Sequence, residues 1–239
     1  MKDLAVILHT CDAYERLWRG FFYCWFKFQN NTELGRCKLY FMNEEQDEFN
    51  VGGFPTSAIW CPTGPGEWSD RLIRGLVNIP EPYVLYMQED FWLDKTLFDP
   101  HLEIIMYWIR RSHAVRIMGS GQRLMDSLAP PFQGEPFRRF AHRSPYFFGH
   151  AATVWYKPHL MRCLGPGENP WQNCHEGNLR CWAMDPQPIH YHYPFEWYQA
   201  VHNNVKRTPA WKDAKGDRSL PGAISTYGRQ ILKEMQDGN

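Results

Sequence analysis

The sequence predicts an α/β fold built on a mostly parallel central sheet flanked by helices, and three observations carry that expectation. Residues 4–8 (L-A-V-I-L) and 83–87 (Y-V-L-Y-M) are unbroken apolar runs, the pattern of strands covered on both faces. Residues 14–28 follow the first run with apolar side chains at helical spacing, Leu17, Phe21, Phe22, Trp25 and Phe28. A second amphipathic stretch, marked by Trp68, Leu72, Leu76 and Ile79, stops at Pro80 and Pro82 and leads straight into the second run. Helix then buried strand, joined by a short turn, is the right-handed β-α-β logic of a doubly wound sheet.

Taken in order, the first strand ends in His9, Thr10, Cys11 and Asp12. Residues 38–42 predict a second strand, closed by the polar run 43–48 that holds Asn43 and Glu44. Residues 51–65 are rich in Gly and Pro around a short apolar piece, 58–61, and read as loop with one brief strand. In the helix after it, Ser69 or Asp70 can cap the start. The strand at 83–87 then meets two adjacent carboxylates, Glu89 and Asp90, before returning to apolar Phe91, Trp92 and Leu93. Burying an ionised carboxylate costs on the order of several kcal/mol, so a metal ion, a cation or exposure at the strand end must offset it.

Further along, 102–111 predicts a helix and 115–118 a strand. Residues 122–144 are weakly periodic and read as a long surface loop or a small antiparallel excursion. Residues 146–156 are small and β-prone, 157–164 helical, 165–171 a Gly/Pro loop, and 172–182 a short helix with Glu176 on its first turns. Residues 189–193 alternate with period two, placing His190 and His192 on one strand face. The polar tail, 205–239, reads as an extension ending in a helix on a single domain spanning 1–239.

Composition removes several classes. Lys and Arg number 26 and Asp and Glu 26, leaving no basic excess to neutralise a nucleic-acid backbone. The seven cysteines are scattered without a C-x-x-C pair, as expected of reduced thiols in a cytoplasmic protein. No apolar run is long enough for a transmembrane segment. There is no G-x-S-x-G elbow and no G-x-x-x-x-G-K-[ST] loop, so serine-hydrolase and P-loop chemistry find no support.

In open α/β sheets ligands bind beyond the carboxyl ends of the strands. Thr10 and Asp12, Asn43 and Glu44, and Glu89 and Asp90 all sit at such ends. In addition, W-S-D-R-L-I-R-G-L (68–76), P-Y-V-L-Y-M-Q-E-D-F (82–91) and A-A-T-V-W-Y-K-P-H-L-M-R-C-L-G-P-G-E-N-P-W (151–171) occur in that order. Together they resemble nucleotide-sugar glycosyltransferases of the GT-A fold, and are closest to bacterial and viral transferases whose D-x-D-type motif reads Q-[DE]-D-F. The similarity spans about residues 4–195. It departs from a strict D-x-D in having Gln88 two positions before Asp90.

The resemblance implies a UDP-, GDP- or TDP-sugar donor, a glycan or lipid-linked acceptor, and Mn²⁺ or Mg²⁺ to neutralise the departing diphosphate. It implies Asp90 as metal ligand, Glu89 as a second ligand or ribose contact, and Asp70 and Arg71 on nucleotide or diphosphate. Thr10 and Asp12 either bind nucleotide or cap the following helix. Inverting transfer needs a general base. Glu176 is the first candidate and Glu168 the second, with Cys174 at the spot where relatives often carry an acid. His190 and His192 either touch the metal or diphosphate or form a half-buried strand face. Trp171, Trp155 and Trp92 are candidates for the sugar subsite or the core. Two rival functions remain at this stage: a catalytically silent nucleotide-sugar or glycan-binding protein, and a metal-dependent nucleotidyltransferase, though the latter would normally carry a glycine-rich loop where H-T-C-D-A-Y-E-R stands.

Overall fold

The computed structural model describes residues 1–45, 58–119, 137–144, 146–201 and 224–237. Their strands are β1 (Leu4–His9), β2 (Leu39–Met42), β3 (Ile59–Trp60), β4 (Tyr83–Met87), β5 (Phe91–Leu93), β6 (Ala114–Gly119), β7 (Arg138–Arg139), β8 (Thr153–Tyr156) and β9 (His190–Ala200). The helices are α1 (Glu15–Gln29), α2 (Trp68–Val77), α3 (Asp99–Ile109), α4 (Lys157–Cys163), α5 (Pro170–Ala183) and α6 (Thr226–Asp237).

Among the described residues the strands form one nine-stranded sheet in the order β3-β2-β1-β4-β8-β6-β9-β5, with β7 also on β9. The ladders β1–β2, β1–β4, β2–β3 and β6–β9 are parallel. Strand β8 runs against both β4 and β6, and β5 and β7 run against β9. Strands β1, β2, β3, β4, β6 and β9 therefore point one way and β5, β7 and β8 the other, and the sequence of connections reverses between β1 and β4, which are neighbours.

The apolar runs are unbroken because both sheet faces are covered. Along β1, Leu4, Val6 and Leu8 enter a core shared with α1, α3 and α6, whereas Ala5 and Ile7 enter a second core shared with α2, α4 and α5. Strand β4 divides the same way, Leu85 and Met87 to one side and Val84 and Tyr86 to the other. The terminal helix α6 is clamped to α1 by a 2.7 Å ion pair between Lys27 and Glu234.

Several elements differ from the sequence reading. Residues 91–93 do not continue the preceding strand: the chain turns at Glu89–Asp90, and β5 pairs with β9 at the far edge. Strand β9 is longer than its alternating start suggests. It passes Pro194 because the β6–β9 register breaks between Ile117 and Gly119, and proline is tolerated where a ladder is interrupted. Ser69 and Asp70 do not cap α2, whose N-cap is Glu67 with no side-chain bond. They accept hydrogen bonds from Glu168 N (2.9 Å) and Gly167 N (3.0 Å), fastening the Gly/Pro loop to α2. That loop ends in a capping box of Asn169 and Gln172 that starts α5. Most of 122–144 and of the tail 205–239 lies outside the described residues.

Candidate functional site

A cavity of about 510 Å³ opens at the carboxyl ends of β1 and β4. Strand ends supply His9, Thr10 and Cys11 on one side and Gln88, Glu89 and Asp90 on the other. Helix α2 contributes Trp68 and Arg71, the segment before β8 contributes His150 and Ala151, and the start of α5 contributes Pro170, Trp171 and Cys174. This is the position where the strand order reverses, and the crevice there is open because the loops leaving adjacent strands diverge.

Local structure fixes the two carboxylates. Glu89 and Asp90 form the centre of a tight turn in which Phe91 N donates to Gln88 O at 3.1 Å. The Trp92 indole donates to Glu89 O at 3.0 Å, and Val201 N donates to Asp90 O at 2.9 Å. Three consecutive carbonyls are thus tied down while both side chains border the cavity. Trp92 is fully buried, and Gly20 of α1 makes room for it: a Cβ there would lie 2.0 Å from its ring.

Electrostatically the pair is unsettled. Neither carboxylate forms an ion pair among the described residues, and burial raises the pKa of each, with the charge of Asp90 adding to the rise at Glu89. The nearby Arg71, itself buried, donates from Nη1 to Thr10 O at 2.6 Å and sits 3.7 Å from Glu44. Behind the carboxylates lies an aromatic floor in which Trp68 packs 5.3 Å from His9 and 4.3 Å from His150. Burial holds both imidazoles neutral, lowering His9 well below its ordinary range and His150 to about 3. Neither ring nitrogen of His9 has a hydrogen-bond partner among the described residues.

The other sequence-derived candidates are distributed unevenly. Thr10 lines the cavity, and its hydroxyl accepts from the Trp18 indole at 2.8 Å. Asp12 does not line it: its carboxylate accepts from Glu44 N and Glu45 N, each at 3.2 Å, and from Asn43 Nδ2 at 3.4 Å, so it braces the loop after β2. Asp70 is engaged with Gly167. Glu168 is bound by Arg180 (2.8 and 2.6 Å), Asn173 (2.6 Å) and Gly165 N (3.1 Å). Burial pushes Glu168 up, but Arg180 and Asn173 more than offset it, and its pKa is lowered.

Glu176 is exposed and paired with His175 at 3.0 Å. The reason is helical periodicity. Trp171 and Cys174, three apart, share the cavity face, and a residue two positions beyond Cys174 points away from it. His190 and His192 also lie outside the cavity. His190 stacks on Phe147 at 4.1 Å and meets His159, while His192 is buried beside Arg116, its register partner. Trp92 and Trp155 are core residues, whereas Trp171, 51% exposed, stands at the mouth.

Sequence reasoning passed over His9, Trp68 and His150 as cavity residues. Position beside Thr10 at a strand end could have signalled His9. His150 lies in a stretch without periodicity and carried no signal.

A mostly parallel α/β sheet with its crevice at the β1/β4 reversal is a GT-A-like fold. Solved structures share it at low sequence identity. S. aureus TarS 1-349 in complex with UDP matches with a TM-score of 0.57 and 13% identity, covering 99% of this chain and 71% of that one. The same protein in complex with UDP-GlcNAc gives 0.55 and 12%, covering 99% and 72%. A third TarS 1-349 structure gives 0.53 and 12%, covering 84% of this chain, which spans 60% of that chain's length. No protein-family model and no curated protein matches the sequence.

Proposed function

We propose that this chain is a glycosyltransferase that takes a nucleoside-diphosphate sugar in the β1/β4 cavity and passes the sugar to a hydroxyl of a glycan or lipid-linked acceptor. The observation that carries this reading is the pair of buried Glu89 and half-buried Asp90, held beside Arg71 on the floor of the crevice. The fold likeness to TarS, described in complex with UDP and with UDP-GlcNAc, supports it.

The residues fit a divalent cation. Two adjacent carboxylates with raised proton affinity and no ion-pair partner among the described residues form a hard oxygen donor set suited to Mn²⁺ or Mg²⁺. Asp90 would hold it, with Glu89 beside it. When bound, such a cation supplies charge neutralisation of the departing diphosphate. The chain's own groups do the rest. Thr10 and Arg71 border the nucleotide end, and Arg71 places a fixed positive charge there. Trp68, His9 and His150 exclude water from the floor, and the exposed ring of Trp171 offers a face for a sugar to stack on.

One observation favours a second reading, a nucleotide-sugar-binding protein without turnover. Cys174 occupies the cavity face of α5 where an acid would take the acceptor's proton, and Glu89 and Asp90 are the only carboxylates lining the cavity among the described residues. Incubation with a panel of nucleotide sugars and Mn²⁺ separates the possibilities. Donor hydrolysis or transfer, lost in Asp90→Asn, is expected of an enzyme; donor binding without either identifies the binder; no donor binding at all sinks both.

A further inference from the structure

On the sheet face opposite α1, the far end of α5 meets α4 and β9 in a cluster unrelated to the cavity. His159 and Cys163 lie four apart on α4 and so share one side of that helix. Cys181 comes from the last turn of α5, and His190 opens β9. All four are buried. Cys163 Sγ is 3.1 Å from Cys181 Sγ and 3.6 Å from His159 Nε2, and His159 Nε2 is 2.9 Å from His190 Nε2. The ligating atoms of His159, Cys163 and Cys181 all fall within 4.8 Å of one another.

Both cysteines are free thiols, and their sulfurs sit closer than the roughly 3.5–4.0 Å of ordinary non-bonded contact. Such crowding of soft atoms is what a shared cation would relieve. Metal–ligand bonds of about 2.3 Å to sulfur and about 2.0–2.1 Å to nitrogen, set tetrahedrally, imply N–S edges of about 3.6 Å and S–S edges of about 3.8 Å. The observed N–S edge matches, and the S–S edge needs to open by less than about 1 Å.

The His190 imidazole faces the cluster and pairs with His159. His190 Nδ1 lies 2.9 Å from Phe147 O, which fixes the proton on Nδ1 and leaves Nε2 bare toward the cluster.

We propose that His159, Cys163 and Cys181 hold a divalent cation of the zinc type at a structural site, with the His190 imidazole hydrogen-bonded to His159 beside it. A donor set of two thiolates and an imidazole selects zinc over the hard cations suited to Glu89 and Asp90. All three ligands are buried away from the cavity, so the site's role is to fasten α4 to α5. Cys181 lies two helical turns, about 10 Å, along α5 from Cys174. The cation therefore steadies the helix whose first turn borders the cavity.

The test is metal analysis of the full chain purified under reducing conditions without chelator. One zinc per chain is expected. The double variant Cys163→Ser, Cys181→Ser should lose at least tenfold of it, whereas Cys61→Ser and Asp90→Asn should retain it. Should the double variant fail to fold, Co²⁺ added to chelator-treated wild type decides: thiolate-to-cobalt charge-transfer absorption at one equivalent supports the site. Wild type that holds no zinc and takes up neither Zn²⁺ nor Co²⁺, zinc that survives in the folded double variant, or a Cys163–Cys181 disulfide found by mass spectrometry in the reduced preparation would each overturn it.

Discussion

Arg71 of α2 donates a 2.6 Å hydrogen bond to the carbonyl of Thr10, the first residue beyond β1. Helix and strand end are thereby joined through one guanidinium, which also stands 3.7 Å from Glu44 on the loop after β2. The bond sets the height of the cavity floor and leaves a permanent cation beside it. Arg71→Lys keeps the charge but cannot reproduce a planar fork serving several acceptors. We expect nucleotide-diphosphate affinity to fall roughly 10–100-fold, the equivalent of about 1.5–3 kcal/mol for hydrogen bonds to a charged group. Calorimetric titration with UDP in Mn²⁺ measures it, and an unchanged affinity would remove Arg71 from the donor site.

The carboxylate pair makes a pH signature. Burial raises both folded-state pKa values above those of the unfolded chain, near 4. Within that window the folded state keeps protons that the unfolded state has lost, so stability falls as pH rises and levels off above the folded values. In cation-free protein, Tm should therefore decline from about pH 5 to about pH 8. Asp90→Asn should flatten this slope and, at about pH 8, stabilise by roughly 1–2 kcal/mol, a Tm gain of about 2–8 °C. Added Mn²⁺ should stabilise wild type at that pH but not the variant; identical slopes for the two proteins would refute the account.

Gly20 controls the same motif from a distance. An added Cβ would meet the Trp92 ring at 2.0 Å, and Trp92 holds the Glu89 carbonyl. Gly20→Ala is expected to cost about 1–3 kcal/mol by overpacking. It should also weaken donor binding although it lies on α1, outside the cavity. Chemical denaturation alongside nucleotide titration checks both; a stability loss with unaltered donor affinity would show that Trp92 does not position the turn.

Cys174 is the informative position on the acceptor side. Cys174→Asp sets a carboxylate on the cavity face of α5, and a positioned base contributes on the order of 10²–10⁴ in rate. Sugar transfer by this variant should exceed that of wild type at least tenfold, while Glu176→Gln, altering an exposed side chain paired with His175, should stay within about twofold. A large loss in Glu176→Gln would instead mean that α5 turns during the reaction.

The fold was legible because both-face burial writes itself into unbroken apolar runs: residues 4–8 and 83–87 became β1 and β4 with neighbours on each side. The strand-end rule likewise brought Thr10, Glu89 and Asp90 to one cavity, where Arg71 of α2, named from the resemblance, joins them. What sequence could not settle was direction. Glu176 and Cys174 are nearly adjacent in the chain, yet helical rotation sends one to solvent and the other inward. Asp12, read as either a nucleotide contact or a cap for the following helix, is tied to the backbone of Glu44 and Glu45, because a short carboxylate near free N–H groups bonds to them first. His190 and His192 share a face as period two requires, but that face turns toward Phe147 and Arg116. Long-range pairing, as between β5 and β9, leaves no local trace at all.

The bond from Val201 N to Asp90 O joins positions far apart in the chain. During synthesis, everything up to β8 can collapse onto β4 while this bond is still missing, since its donor has not emerged. The turn that presents the two acids is completed only when β9 arrives. A truncated or nascent chain ending before residue 201 would have most of its sheet and lack a properly set donor floor. The floor of the cavity is thus completed late, and the end of β9 acts as the latch that closes it.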